Sequence, residues 1–330
     1  MNTSTYKVAI SCIGTGVGQS IINSIRTSQL PITTVGFGNN PFAYGAYDCD
    51  VMDYLPGIYD ANYLNQLIEK CKLHEIDLLI PCLDDEVLLL AQNVDTLKSN
   101  GILAIHSDLK IVSICRDKER ISYELNNSNL FVRSYNKNSL KNASKKGAIQ
   151  FPLIAKPKSG YSSNGVKIIR SDDDLHQLTS KDVIQELAIP AKNDPNRIEF
   201  DKHLKLGINS QVSEISIQLV FSHESHLLGK MCTNHRLKNG IPIEVVLIDD
   251  HRIWGTVNEL IPRFQALGVK GPLNLQGRLT DDGLKIFEIN PRFTGITGLR
   301  ALMGFNEVIV CIKNWLGIDS GKYLLEPSHQ

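Results

Sequence analysis

Two kinds of hydrophobic pattern share this chain. Up to about residue 110, short apolar runs at 7–13, 33–37, 77–81 and 102–105 alternate with segments whose apolar residues recur every three or four positions. Val17, Ile21, Ile22 and Ile25 form one such stripe, and Tyr63, Leu64, Leu67, Ile68 and Cys71 form another. Strand runs separated by helical stripes predict parallel pairing, because parallel strands need a crossover. Asp84-Asp85-Glu86 marks the start of a further helix after the third run. This part reads as a doubly wound α/β domain.

From about residue 113 the pattern changes. Apolar runs crowd together at 130–133, 153–156, 166–169, 183–187, 214–221, 227–233, 243–248, 274–279 and 285–289. Neighbouring runs joined by turns such as Asp281-Asp282-Gly283 predict antiparallel sheet, so the second part reads as α+β. Residues 190–209 are polar with little periodicity and predict a long loop.

With 330 residues the chain has room for about two or three domains. Its 35 basic and 35 acidic residues cancel, which argues against a dedicated nucleic-acid or anionic-membrane binder. No early apolar stretch approaches the ~20 residues of a spanning helix. The seven cysteines are odd in number and none are spaced as a zinc or redox pair, so they read as reduced thiols in a cytoplasmic protein. Of the nine histidines only His223 and His226 lie close together, at a spacing that does not face one way along a hairpin.

Gly14-Thr15-Gly16-Val17-Gly18 follows the first strand and opens a helix, as a nicotinamide-dependent oxidoreductase would require. The match is incomplete. Gln19 stands where that fingerprint wants a third small residue, and the second strand ends Phe37-Gly38-Asn39-Asn40, with no carboxylate for a ribose hydroxyl. A tight turn needing close packing explains the glycines equally well.

Two later segments carry more chemistry. Lys156 ends a strand and leads into Lys158-Ser159-Gly160-Tyr161-Ser162-Ser163-Asn164-Gly165. A lysine beside a loop of small residues can meet a polyphosphate, with backbone N–H groups folding over it. Near the C-terminus, Glu288 and Asn290 alternate on one face of a strand, and Gln276 on a neighbouring strand can join them. Three side-chain oxygens, one of them anionic, suit a hard cation such as Mg²⁺ that completes its shell with water and phosphate. Arg292 follows in the same alternation.

Taken together these strings resemble the ATP-grasp superfamily, and within it the carboxylate–amine ligases similar to carbamoyl-phosphate synthase. Phe287-Glu288-Ile289-Asn290-Pro291-Arg292-Phe293-Thr294-Gly295 is the most specific block, supported by residues 268–276, Asp117-Lys118 and residues 183–187. The resemblance implies an N-terminal Rossmann-like pre-ATP-grasp domain (1–112), a small lid subdomain (113–189) and a large subdomain (190–330) bearing the metal site. It implies that Lys118 and Lys156 contact the phosphates of ATP, and that a lid with Ser159, Gly160, Ser162, Ser163 and Gly165 closes over them. The backbone of Gln185, Glu186 and Leu187 would read adenine, and Glu214 would bind ribose. Gln276, Glu288 and Asn290 would hold Mg²⁺, with Mn²⁺ as a substitute. Arg292 would steady the transferring phosphoryl group, Arg236 would do the same or grip the substrate carboxylate, and Arg300 would touch substrate.

In such families a glycine precedes the ribose-binding glutamate, whereas Ser213 occupies that place here. Only half of the large synthetase's duplicated architecture is present, so carbamoyl phosphate synthesis is not expected of this chain alone. The activity implied is ATP-dependent amide formation from a small carboxylate and an amine through an acyl-phosphate, with a homodimer common in the fold. Phosphoryl transfer that stops at the acyl-phosphate, a non-catalytic nucleotide-binding regulatory protein and the oxidoreductase are the competing classes.

Overall fold

The computed structural model describes residues 5–118, 120–125, 129–135, 139–140, 143, 149–157, 165–318, 325 and 327. The alternating N-terminal runs form a parallel sheet of four strands, β1 (Tyr6–Ile10), β2 (Ile32–Gly38), β3 (Val51–Tyr54) and β4 (Leu78–Ile80), in the order β3-β2-β1-β4. Helices Gly16–Arg26, Tyr63–Leu73 and Asp84–Gln92 cross between or flank these strands, as their apolar stripes predict. The glycine turn serves packing: a Cβ on Gly18 would stand 3.0 Å from the Cα and carbonyl oxygen of Ile13.

Two expectations for this half need correction. β3 was not foreseen, because its four residues lie on an edge where both faces are partly exposed and no apolar run marks them. The run at 102–105 is not a strand of its own. It makes a single parallel bridge between Ala104 and Leu79, after which Ser107 turns away to bond the backbone of Lys270.

A small antiparallel sheet follows, β5 (Ser134–Tyr135), β6 (Leu153–Pro157), β7 (Lys167–Ile169) and β8 (Asp182–Glu186), in the order β5-β8-β6-β7. The strand expected at 130–133 reduces to a bridge from Phe131 to Ile286. The larger antiparallel sheet contains β9 (Glu214–Phe221), β10 (Leu227–Lys238), β11 (Ile241–Leu247), β12 (Gly271–Thr280) and β13 (Gly283–Asn290), ordered β11-β10-β9-β12-β13.

The faces of the large sheet differ in chemistry. One is apolar: Ile215, Ile217, Leu273, Leu275, Ile286 and Ile289 pack against Ile253, Val257, Leu260 and Phe264 of helix His251–Ala266. The other is polar along β9, β12 and β13. Further along that second face Val220 and Met231 enter the N-terminal core, together with Val308 and Ile312 of helix Glu307–Leu316.

The loop expected at 190–209 contains helix Arg197–Lys205. It buries only Phe200, so no apolar stripe announced it, and an Arg197–Asp201 pair one turn apart supports it. Among the described residues no helix is long and apolar enough to cross a membrane, and all seven cysteines are free thiols.

Glu86 is a structural carboxyl of the N-terminal domain. It is fully buried, accepts from the Cys82 amide at 3.0 Å and from the Tyr63 hydroxyl, and burial raises its pKa. Glu86→Ala strands both donors in the interior, a loss of about 3 kcal/mol. A lower denaturant midpoint at unchanged m-value, corresponding to a free-energy loss of about that size, is the expected result.

Candidate active site

Strand register assembles the site. Gln276 on β12 pairs with Glu288 on β13 and, on its other side, with Ser216 on β9. One row further along, Asn274 stands between Asn290 and Gln218. Directly opposed residues share a face, so these rows form one polar patch. Asn274 and Gln218 are buried beneath it, with Asn274 Nδ2 donating to Ser216 Oγ at 2.9 Å and to Gln218 Oε1 at 3.0 Å.

A bulge between Gln276 and Gly277 makes Phe287 an extra, unpaired residue of β13. It turns the Phe287 ring toward the site, where Lys156 Nζ stands 4.6 Å from its centroid. Close approach permits this only at glycine, since a Cβ on Gly277 would meet the Lys285 carbonyl oxygen at 2.6 Å.

Lys156 reaches the patch from β6 of the small sheet, and Lys118 from the turn between helices Leu109–Arg116 and Arg120–Glu124. Lys118 Nζ lies 3.8 Å from Glu288 Oε1. Lys156 is half-buried, and burial lowers its pKa, with Lys118 adding to the fall and Glu288 and Glu214 opposing it. Glu214 is pushed the opposite way, upward by burial, against the pull of Arg278 and Lys156. Just before Glu214 the backbone takes a glycine-like conformation: Ser213 adopts φ +54°, and its hydroxyl donates to Asp194 at 2.7 Å and accepts from Asn196 at 3.0 Å. Two side-chain bonds hold the serine where glycine would sit freely.

Arg292 closes the other end. Its Nε is 2.8 Å from Asp84 Oδ1 at the head of helix Asp84–Gln92, and its Nη1 donates to the Phe293 carbonyl at 2.9 Å. Burial works against its charge, but Asp84, Glu288 and Cys82 together outweigh it and the net direction is upward.

The structure thus brings Lys118, Lys156, Glu214, Gln276, Glu288, Asn290 and Arg292 onto or around one face. Arg236 is committed elsewhere: Nη1 donates to Glu199 at 2.7 Å, Nη2 to Asn196 at 2.9 Å, and Nε lies 3.4 Å from Glu244. Arg300 is 1% exposed and paired with fully buried Glu307, with Thr294 and Thr297 also bonded to its guanidinium. At the hinge, the Glu186 amide donates to the Arg133 carbonyl and the Leu187 amide to the Pro152 carbonyl, while the Gln185 side chain bonds Ser134 and the Phe287 carbonyl. Gly165 sits at φ +74°; Ser159, Gly160, Ser162 and Ser163 lie outside the described residues. Arg278, Phe287 and Asp84 were not foreseen as site residues, although Arg278 follows Gln276 by two positions and so had to share its face.

Among the described residues, no group of three or more His, Cys, Asp or Glu could hold a metal. The Gln276, Glu288 and Asn290 oxygens instead fit a hard cation that takes its remaining ligands from a polyphosphate and water.

His235, buried on β10, shows how polar groups beside the site tie stability to pH. Its Nε2 is 2.7 Å from Thr233 Oγ1, and burial, reinforced by Arg300, lowers its pKa to about 4. Between pH ~6.5 and 4 the unfolded chain binds a proton the folded chain refuses, so stability falls as pH drops through that window, by roughly 3 kcal/mol in all. Urea unfolding at pH 7 and pH 4.5 is expected to show a smaller pH loss for His235→Gln than for the unsubstituted chain.

The architecture is that of the ATP-grasp fold preceded by an N-terminal α/β domain. Residues 8–105 match the family described as PylC-like, N-terminal domain. The chain is similar to N5-carboxyaminoimidazole synthetase from Staphylococcus aureus in complex with ADP, with TM-score 0.71 and 14% identity over 99% of this chain and 82% of that one. It is similar to the biotin carboxylase domain of Hydrogenobacter thermophilus 2-oxoglutarate carboxylase, solved with MgADP and bicarbonate, with TM-score 0.69 and 14% identity over 97% and 72% of the two chains. Phosphoribosylglycinamide synthetase from Anaerococcus prevotii aligns with TM-score 0.60 and 17% identity over 95% and 76%. No curated protein matches the chain's sequence.

Proposed function

We propose that this chain is an ATP-dependent ligase that joins a small carboxylate to an amine. The observation that carries the reading is the polar face of the large sheet, where Gln276, Glu288 and Asn290 stand together within reach of Lys118 and Lys156. Nothing in folding asks for two lysines beside that oxygen set. Polyphosphate answers both, and solved structures of this fold hold ADP and MgADP.

In this reading Lys118 and Lys156 bind the phosphates as point charges. The low pKa direction of Lys156 reflects a poorly solvated ammonium, so an incoming anion replaces missing solvation. Gln276, Glu288 and Asn290 would hold Mg²⁺ or Mn²⁺, which would neutralise polyphosphate charge. Glu214 takes the ribose hydroxyls, and the hinge offers its carbonyls to the base. The substrate carboxylate attacks the γ-phosphorus, the bond to the β–γ bridging oxygen breaks, and ADP leaves. Arg292, held by Asp84, stabilises charge on the transferring group. An amine then attacks the acyl carbon, phosphate departs, and the nitrogen loses a proton to give the amide. Closure that excludes water protects the acyl-phosphate.

The test is Mg²⁺-dependent ADP release against amino acids and other small carboxylates, singly and in pairs with amines, with mass spectrometry of products. Release requiring a pair, with a product lighter than their sum by one water, is expected. Absence of ATP binding overturns the reading. ADP release with an acid alone, giving no amide with any amine, replaces it with acyl phosphorylation.

A further inference from the structure

We propose that Arg278 is a positioning residue for the base–ribose end of the nucleotide, tying the hinge to the segment that presents Glu214. This rests on the ATP reading above. Arg278 lies on the site face of β12, and the Gly277–Ile215 pairing places it opposite Glu214 on β9. It is 5% exposed. Nη1 donates to the Ala188 carbonyl at 2.7 Å, just past hinge residues 185–187. Nη2 donates to the Val212 carbonyl at 3.1 Å, two residues before Glu214. One planar group therefore fixes the two backbone segments between which the base and ribose would lie.

Aromatic rings hold the guanidinium. Its carbon is 5.0 Å from the centroid of Phe200 and 6.0 Å from that of Phe287, whose ring also carries Lys156. The base end and the phosphate end thus share one side chain. Only an arginine fork can bond two carbonyls while stacked on a ring. Its buried Nε makes no hydrogen bond among the described residues.

The charge has a second use. The Glu214 side chain makes no ion pair or hydrogen bond among the described residues; burial pushes its pKa up, and the Arg278 charge opposes that push. A cation opposite the carboxylate on the neighbouring strand, but not bonded to it, offsets part of the cost of burial and leaves both oxygens open to accept from ribose hydroxyls.

The experiment compares the full chain with Arg278→Lys and Phe200→Leu. Calorimetry gives dissociation constants for ADP and for inorganic tripolyphosphate, each with Mg²⁺, and thermal melts report folding. Arg278→Lys is expected to weaken ADP about tenfold while tripolyphosphate binding stays within twofold. Phe200→Leu loosens the guanidinium but keeps its hydrogen bonds, and is expected to shift ADP alone by about threefold. That variant carries the test if the lysine variant does not fold. Unchanged ADP affinity, or equal weakening of ADP and tripolyphosphate, overturns the assignment. Failure of the unsubstituted chain to bind ADP instead removes the ATP reading itself, and this inference with it.

Discussion

Glu288→Ala is expected to lower Mg²⁺-dependent ADP release on the order of a hundredfold or more while leaving the melting temperature within a few degrees. Glu288 is the only carboxylate in the Gln276–Glu288–Asn290 set, so its loss leaves two neutral amides to hold a divalent cation. It also stands 3.8 Å from Lys118 and opposes the desolvation of Lys156. Without it Lys118 and Lys156 face each other with less compensation, and Lys156 becomes easier to deprotonate. Stability depends little on the side chain, which is partly exposed and is held in place by backbone pairing to Gln276. Glu288→Gln separates charge from shape: it keeps the oxygen and the volume, so rescue by raised Mg²⁺ or by Mn²⁺ is expected for Gln and not for Ala. Full turnover in the Ala variant would remove Glu288 from the site.

The patch was legible because β-strands obey a simple alternation. Glu288 and Asn290 had to share a face, and Gln276 joined them once β12 and β13 paired. The helix Gly16–Arg26 was legible for the same kind of reason, an unbroken stripe. What escaped was held by features without a period. Helix Arg197–Lys205 buries one side chain, and β3 sits at a sheet edge, so neither repeats an apolar position often enough to be seen. The bulge at Phe287 cannot be read from a single strand, because it exists only as a mismatch between two. Ser213 shows a replaced glycine that keeps the glycine conformation, by bonds to Asp194 and Asn196 that are distant in sequence from any motif. Arg236 and Arg300 were chosen by position near motifs. Their partners, Glu199 and Glu307, belong to helices the sequence reading did not place.

Arg292→Ala is expected to cut kcat about a hundredfold with a much smaller change in the KM for ATP. The reason lies in how the guanidinium is held. Asp84 fixes Nε and the Phe293 carbonyl fixes Nη1, so one edge of the fork is spent on orientation. The remainder of the fork would meet charge that develops during transfer, and a group already held in place needs no reorganisation at that moment. In the proposed reading ground-state binding rests instead on Lys118 and Lys156, which would keep KM near its original value. Asp84 then has a measurable role of its own, as a residue of the N-terminal domain that is paired directly with Arg292. Asp84→Asn keeps a side-chain acceptor but removes the charge, so Arg292 is oriented less firmly and a fall in kcat of about tenfold is expected. In the double variant the losses should not add, because Asp84 acts through Arg292. Additive losses in steady-state rates would show that Asp84 contributes by some route other than Arg292. Equal falls in kcat and in ATP affinity for Arg292→Ala would place that arginine on the bound nucleotide rather than on the transfer step.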